Sequence, residues 1–228
     1  DLHSFPTRRS SDLVQHKTRV GVVLDQPCWQ ATWRVRDLSR LLGPFYPGWD
    51  QRVFDELCEW AGVSQRLKVR EFSRGMGMKV QVAVALAHRA ELLVLDEPTS
   101  GLDPLARGEL LDKLSEFMTD ERHSVLFSTH ITTDLDRMAD LVTILDAGRV
   151  IASGARDDLL EAWAMVRGGA ADLTGELRAR IRGLRQHSAG WEGLIAAADL
   201  GLCGTGVVAD TPSVEDLLVH LTKERKDA

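Results

Sequence analysis

The chain has 228 residues, 44% hydrophobic and 27% charged, with a formal net charge of -6. This composition fits a globular protein with a sizeable core, and it offers no basic field to draw in nucleic acid. No apolar run approaches the roughly 18 to 20 residues needed to cross a bilayer. Cys28, Cys58 and Cys203 form no CxxC pair, so reduced thiols in a cytosolic protein are expected.

Residues 1–13, DLHSFPTRRSSDL, are polar and aperiodic, and SFPTRRSSDL resembles translated adapter sequence; they are set aside from fold reasoning. TRVGVVLD, 18–25, is β-branched and apolar and predicts a strand. VRDLSRLLGPFYPGWD predicts a short helix broken by Gly43, Pro44 and Pro47. Asp50 can cap a helix whose Val53, Phe54, Leu57 and Cys58 share one face, with Gly62 just past its end. SRGMGMKVQVAVALAHR, 73–89, is apolar nearly all round, as a core helix is.

LLVLD, 92–96, is apolar on both faces, the pattern of a central parallel strand. Asp103 followed by Pro104 predicts a helix start, with Leu110, Leu111, Leu114, Phe117 and Met118 as its apolar stripe. SVLFST, 124–129, predicts a second buried strand and TTDLDRMAD a short helix. LVTIL and RVIAS around DAG predict a hairpin at the sheet's edge. Strands alternating with helices argue for an α/β domain over 14–165. Residues 166–228 predict a small α+β appendage read as helix, strand, helix, in which Ser213 and Asp216 make a capping box.

In open α/β sheets, ligands bind at the carboxyl ends of the strands. Asp96 lies at such an end, where an acid suits Mg²⁺ directly or through water, and Glu97 aims a second carboxylate at the same space. Taken alone, such an acid also serves as a helix cap, and His130 alone reads as a hydrogen-bonded residue at a strand end. Ser73 and Gly75 open the long helix, whose free N–H groups suit an anion, while a plain helix cap is the simpler use of the same residues.

Over 72–130 the chain resembles the nucleotide-binding domain of ABC transporters. LLVLDEP resembles Walker B with its following glutamate, SGLD (100–103) the D-loop, STH (128–130) the switch histidine, and FSRGM (72–76) the signature motif. The resemblance implies an incomplete P-loop NTPase sheet of ABC type with a helical signature subdomain. It further implies ATP and Mg²⁺ as cofactors, Glu97 as catalytic base and His130 as γ-phosphate sensor. Ser73, Arg74, Gly75, Gln26 and Asp103 would bind nucleotide, and Asp96 and Asp25 metal. The signature departs from Leu-Ser-Gly-Gly-Gln at Phe72, Arg74 and Met76, and Arg74 could pair with phosphate. Asp25 stands where the family's glutamine is usual, with Gln26 one later. Trp29, Trp33 and Phe45 after that loop read either as contacts to a membrane subunit or as core.

The phosphate cradle GxxxxGK[ST] does not occur; Gly43 to Gly48 is followed by Trp49 and Asp50, an acid that would repel phosphate. The expectation is a gene model truncated before its P-loop. The leading reading is the ATPase subunit of a bacterial ABC-2 type exporter, similar to the bacitracin-resistance and acetoin-utilisation subgroup. It would lie on the cytoplasmic face of the membrane, with a permease and a second ATP-binding subunit as partners and no nucleic acid. The alternatives are an ATPase acting on ribosomes or DNA, and a non-catalytic ABC-like module. Arg167, Arg178, Arg180, Arg182 and Arg185 read as a solvated helix face.

Overall fold

The computed structural model describes residues 16–223, so the reading of residues 1–13 lies outside it. The chain divides after Ile131 into two compact units. The first is built on three parallel strands, β1 (Val20–Val23), β2 (Leu92–Asp96) and β3 (Ser124–Ser128), ordered β1-β2-β3. β1 is shorter than the alternation suggests because Leu24 leaves the ladder. The Gln81 side chain takes its place, accepting from the Leu24 N–H at 3.1 Å and donating to the Leu24 carbonyl at 2.9 Å.

Three helices follow β1 in the chain: α1 (Val35–Leu42), α2 (Gln51–Trp60) and α3 (Arg74–Ala87). Asp50 caps α2 as the sequence predicts, its Oδ1 accepting from the N–H groups of Arg52 at 3.1 Å and Val53 at 3.3 Å. Phe54, Leu57 and Cys58 of α2 and Val35 and Leu38 of α1 are buried against Val80, Ala83, Val84 and Ala87 of α3. Burying one such large side chain is worth roughly 1.5–3 kcal/mol, so this cluster holds the helical subdomain together. Trp29 and Trp33 are half-buried and pack on it, while Phe45 is 76% exposed. Burial pushes the Cys58 thiol up to about 12, so it stays a neutral apolar group.

The other side of α3 lies on the sheet. At Gly21 a Cβ would fall 2.6 Å from the Ala85 Cβ, so only glycine lets β1 approach this helix so closely. α4 (Pro104–Phe117) starts where predicted, with Asp103 accepting from the N–H groups of Leu105 and Ala106 at 3.0 Å each. Leu110, Leu111 and Leu114 are its buried stripe. The register sets Val22 beside Val94 and Val94 beside Leu126, and Val22 and Leu126 of that row are exposed.

The second unit contains α5 (Thr132–Met138) and a hairpin of β4 (Leu141–Asp146) and β5 (Arg149–Ala155). Ala147 and Gly148 turn the hairpin at φ +46° and +74°, both in the left-handed region that a tight two-residue turn uses. After α6 (Arg156–Glu161) comes an antiparallel sheet of β6 (Trp163–Gly168), β7 (Arg182–His187), β8 (Gly190–Ala196) and β9 (Val208–Asp210), ordered β7-β8-β6-β9. α7 (Gly175–Arg180) and α8 (Val214–Lys223) complete the unit.

Two expectations change here. The hairpin forms its own two-stranded sheet rather than the edge of the parallel one. The division also falls after 131 rather than 165. Val142 and Ile144 of the hairpin share a buried cluster with Met165, Leu194, Val214 and Leu217, so their apolar face is satisfied by the later residues. The appendage is richer in strands than helix, strand, helix, although Ser213 and Asp216 do bond reciprocally as a capping box. Arg167, Arg180 and Arg185 carry surface ion pairs to Asp210, Asp199 and Glu192, which contribute little to stability.

Candidate nucleotide site

β2 ends in Asp96, Glu97 follows directly, and β3 delivers Ser128 beside them. The Ser128 hydroxyl donates to Asp96 Oδ1 at 2.7 Å, leaving the other oxygen of this exposed carboxylate open. Glu97 has φ +48°, a strained conformation for a residue with a Cβ. Its N–H reaches across to the Ser128 carbonyl at 3.1 Å, which fixes the turn. The strain sits where the chain leaves the strand and its second acid swings beside the first.

His130 follows two residues after Ser128. Its Nδ1 lies 2.7 Å from Glu97 Oε2, so the ring donates to the carboxylate and the other ring nitrogen is not used in this contact. Asp96, Glu97, Ser128 and His130 thus form one polar cluster at the carboxyl ends of two adjacent strands.

A second cluster gathers at the amino end of α3. Ser73 caps the helix, accepting from the Met76 N–H at 3.2 Å. Arg74 forms a short ion pair with Asp25, and its Nε donates to the Ser100 carbonyl at 2.5 Å. Gly101 makes room for that guanidinium: it has φ +67°, and a Cβ there would lie 3.1 Å from Arg74 Nε. Gly75 faces the start of α4, where a Cβ would sit 3.5 Å from the Ala106 Cβ. The clusters meet through one residue, since the Ser100 N–H donates to the Glu97 carbonyl at 3.2 Å while its own carbonyl accepts from Arg74.

Other expected residues have different surroundings. Asp25 is engaged by Arg74, so its carboxylate neutralises a cation within the chain instead of joining Asp96. Among the described residues no group of three His, Cys, Asp or Glu side chains stands ready to hold a metal ion. Gln26 is exposed. Asp103 spends Oδ1 on the α4 cap. Sequence reasoning missed the Arg74–Asp25 pair, the Gln81 clamp on Leu24 and the Ser128 hydroxyl. The only available signals were the paired departures from the family pattern at 25 and 74. Cavities of about 400 and 780 Å³ elsewhere in this unit are lined around Trp60 and Phe117 and around Arg19 and Glu91, and take in none of these residues.

Residues 59–135 match a family model described as "AAA domain, putative AbiEii toxin, Type IV TA system". The chain is 28% identical over 148 residues to the Linearmycin resistance ATP-binding protein LnrL of Bacillus subtilis, covering 63% of this chain and 47% of that one. It is 33% identical over 153 residues to the Nod factor export ATP-binding protein I of Cupriavidus pinatubonensis, covering 64% and 46%. The chain therefore spans just under half the length of these curated relatives. A solved structure titled "Structure of ATP binding subunit of ABC transporter" superposes with TM-score 0.58 at 28% identity, covering 67% of this chain and 65% of that one. The chain is thus similar over about two thirds of its length to ABC transporter ATP-binding proteins, and it shares their P-loop NTPase fold.

Proposed function

We propose that the full-length protein containing this chain is the ATP-hydrolysing subunit of a bacterial ABC exporter, and that Asp96, Glu97 and His130 are its catalytic cluster. The observation that carries this reading is the 2.7 Å contact between His130 and Glu97 beside an open Asp96 oxygen. ATP with Mg²⁺ supplies a triphosphate and a hard cation that oxygen ligands suit. Asp96 fits that cation as one oxygen ligand and cannot hold it alone, so phosphate oxygens and water must complete the shell. Glu97 accepts the proton of the attacking water, and His130 holds its carboxylate in place. Asp103 caps α4 just after the turn that carries Ser100 toward Arg74. The amino end of α3 presents Ser73, Arg74 and Gly75 to nucleotide held by a second ATP-binding subunit, and a membrane permease converts that closure into export at the cytoplasmic face.

The names of the relatives, resistance to linearmycin and export of Nod factor, support an export role. Among the described residues no helix is long and apolar enough to cross a membrane, so the reading assigns transport to the permease. Affinity purification of the tagged full-length protein from solubilised host membranes tests this. Recovery of a polytopic permease in stoichiometric amount is expected. Recovery of ribosomes or DNA in its place would refute export and favour the nucleic-acid class of ABC ATPase.

A further inference from the structure

One face of α3 carries Arg74, Gly77 and Gln81, at the spacing that brings residues in line along a helix. The loop leaving β1 is fastened to that face at three points. Gln81 holds both backbone groups of Leu24. Arg74 holds the Asp25 carboxylate. Pro27 packs beside Gly77, where a Cβ would meet the Pro27 Cγ at 3.4 Å, an ordinary contact distance. The outer two contacts involve apolar packing and buried amide bonding that nothing anionic competes for. The ion pair is different: the side chains of Arg74 and Asp25 are 37% and 46% exposed, open to an arriving anion.

We propose that Asp25 is a built-in competitor for Arg74, holding its guanidinium until a triphosphate displaces the carboxylate. This rests on the nucleotide reading above and deepens it by adding regulation. A guanidinium takes carboxylate and phosphate in the same forked geometry, so one anion replaces the other without a change of donor. A magnesium triphosphate keeps more negative charge on its oxygens than one carboxylate and wins the exchange. Arg74 is also bonded to the carbonyl of Ser100, whose own N–H donates to the Glu97 carbonyl. Its departure from Asp25 therefore removes one fastening of the β1 loop while its link to the catalytic turn remains. Asp25 is thus a positioning residue that restrains Arg74, not a metal ligand.

The test measures ATP-dependent dimerisation of the full-length protein by sedimentation, in a Glu97→Gln background that prevents turnover. Asp25→Asn is expected to lower the ATP concentration at half-dimerisation about two- to fivefold, the range of a half-exposed ion pair. Arg74→Ala should raise it, and Asp25→Asn should have no further effect once Arg74 is Ala. A higher midpoint for Asp25→Asn would make Asp25 a metal ligand and overturn the proposal. Unchanged midpoints for both single variants would reduce the pair to a structural clip and also overturn it. If the Glu97→Gln parent fails to bind ATP or dimerise at any concentration, the nucleotide reading itself falls, and the inference with it.

Discussion

His130 Nδ1 lies 2.7 Å from Glu97 Oε2, and the two residues stand on neighbouring strand ends 33 positions apart in sequence. Glu97 reaches that contact only through a left-handed backbone, φ +48°. The fold therefore spends conformational energy to place this carboxylate, as functional sites often do.

The strain makes an inverted ranking testable. Alanine is ordinarily the more stable replacement, but at positive φ it keeps the strain that glycine relieves. Glu97→Gly is expected to exceed Glu97→Ala in unfolding free energy by about 1 kcal/mol. Urea unfolding of the two variants measures the difference, and the usual order, alanine above glycine, would show that the site is unstrained.

Gln81 supplies another stability test. The residue is 5% exposed, and its side chain satisfies both backbone groups of Leu24. Gln81→Leu preserves the bulk but strands an N–H and a carbonyl, at a cost of about 1–3 kcal/mol. Hydrogen exchange at the Leu24 amide should accelerate along with the loss in urea midpoint. A stable variant with slow exchange at Leu24 would mean that the clamp is dispensable.

His88 gives the pH dependence. Its ring is stacked on Tyr46 at 4.2 Å, with Nδ1 3.2 Å from the Thr18 carbonyl, and burial holds its pKa below the ordinary value. Because the folded value is depressed, the unfolded chain takes up the proton first as pH falls. Stability is therefore full above the ordinary histidine range, about 6.5, and declines as pH drops through it toward the folded value. Between about pH 7.5 and 5.5 the wild type should lose stability with a slope of up to about 1.4 kcal/mol per pH unit. His88→Gln should flatten that slope, and an equal slope in both proteins would assign the proton to another group.

The elements legible in the sequence were those with local signatures. Asp50 and Asp103 cap helices through N–H groups two or three residues away, and the LLVLD strand shows its burial in its composition. Periodicity reports which face of an element is apolar but not what covers it. That is why the hairpin of β4 and β5 went to the wrong sheet: its Val142 and Ile144 are matched by Leu194 and Leu217, far along the chain. The same limit hid the pairing of Asp25 with Arg74, 49 residues apart, and of Leu24 with Gln81, 57 apart. The resemblance to ABC ATPases located the residues of both clusters, whereas their mutual contacts required coordinates.

The account rests on Glu97 acting as the proton acceptor for water attack on ATP. The most direct measurement is steady-state ATPase activity of the full-length Glu97→Gln protein beside wild type, with MgATP binding followed in parallel. Turnover is expected to fall by about 10²- to 10⁴-fold while nucleotide binding persists. Wild-type turnover in Glu97→Gln would contradict the account.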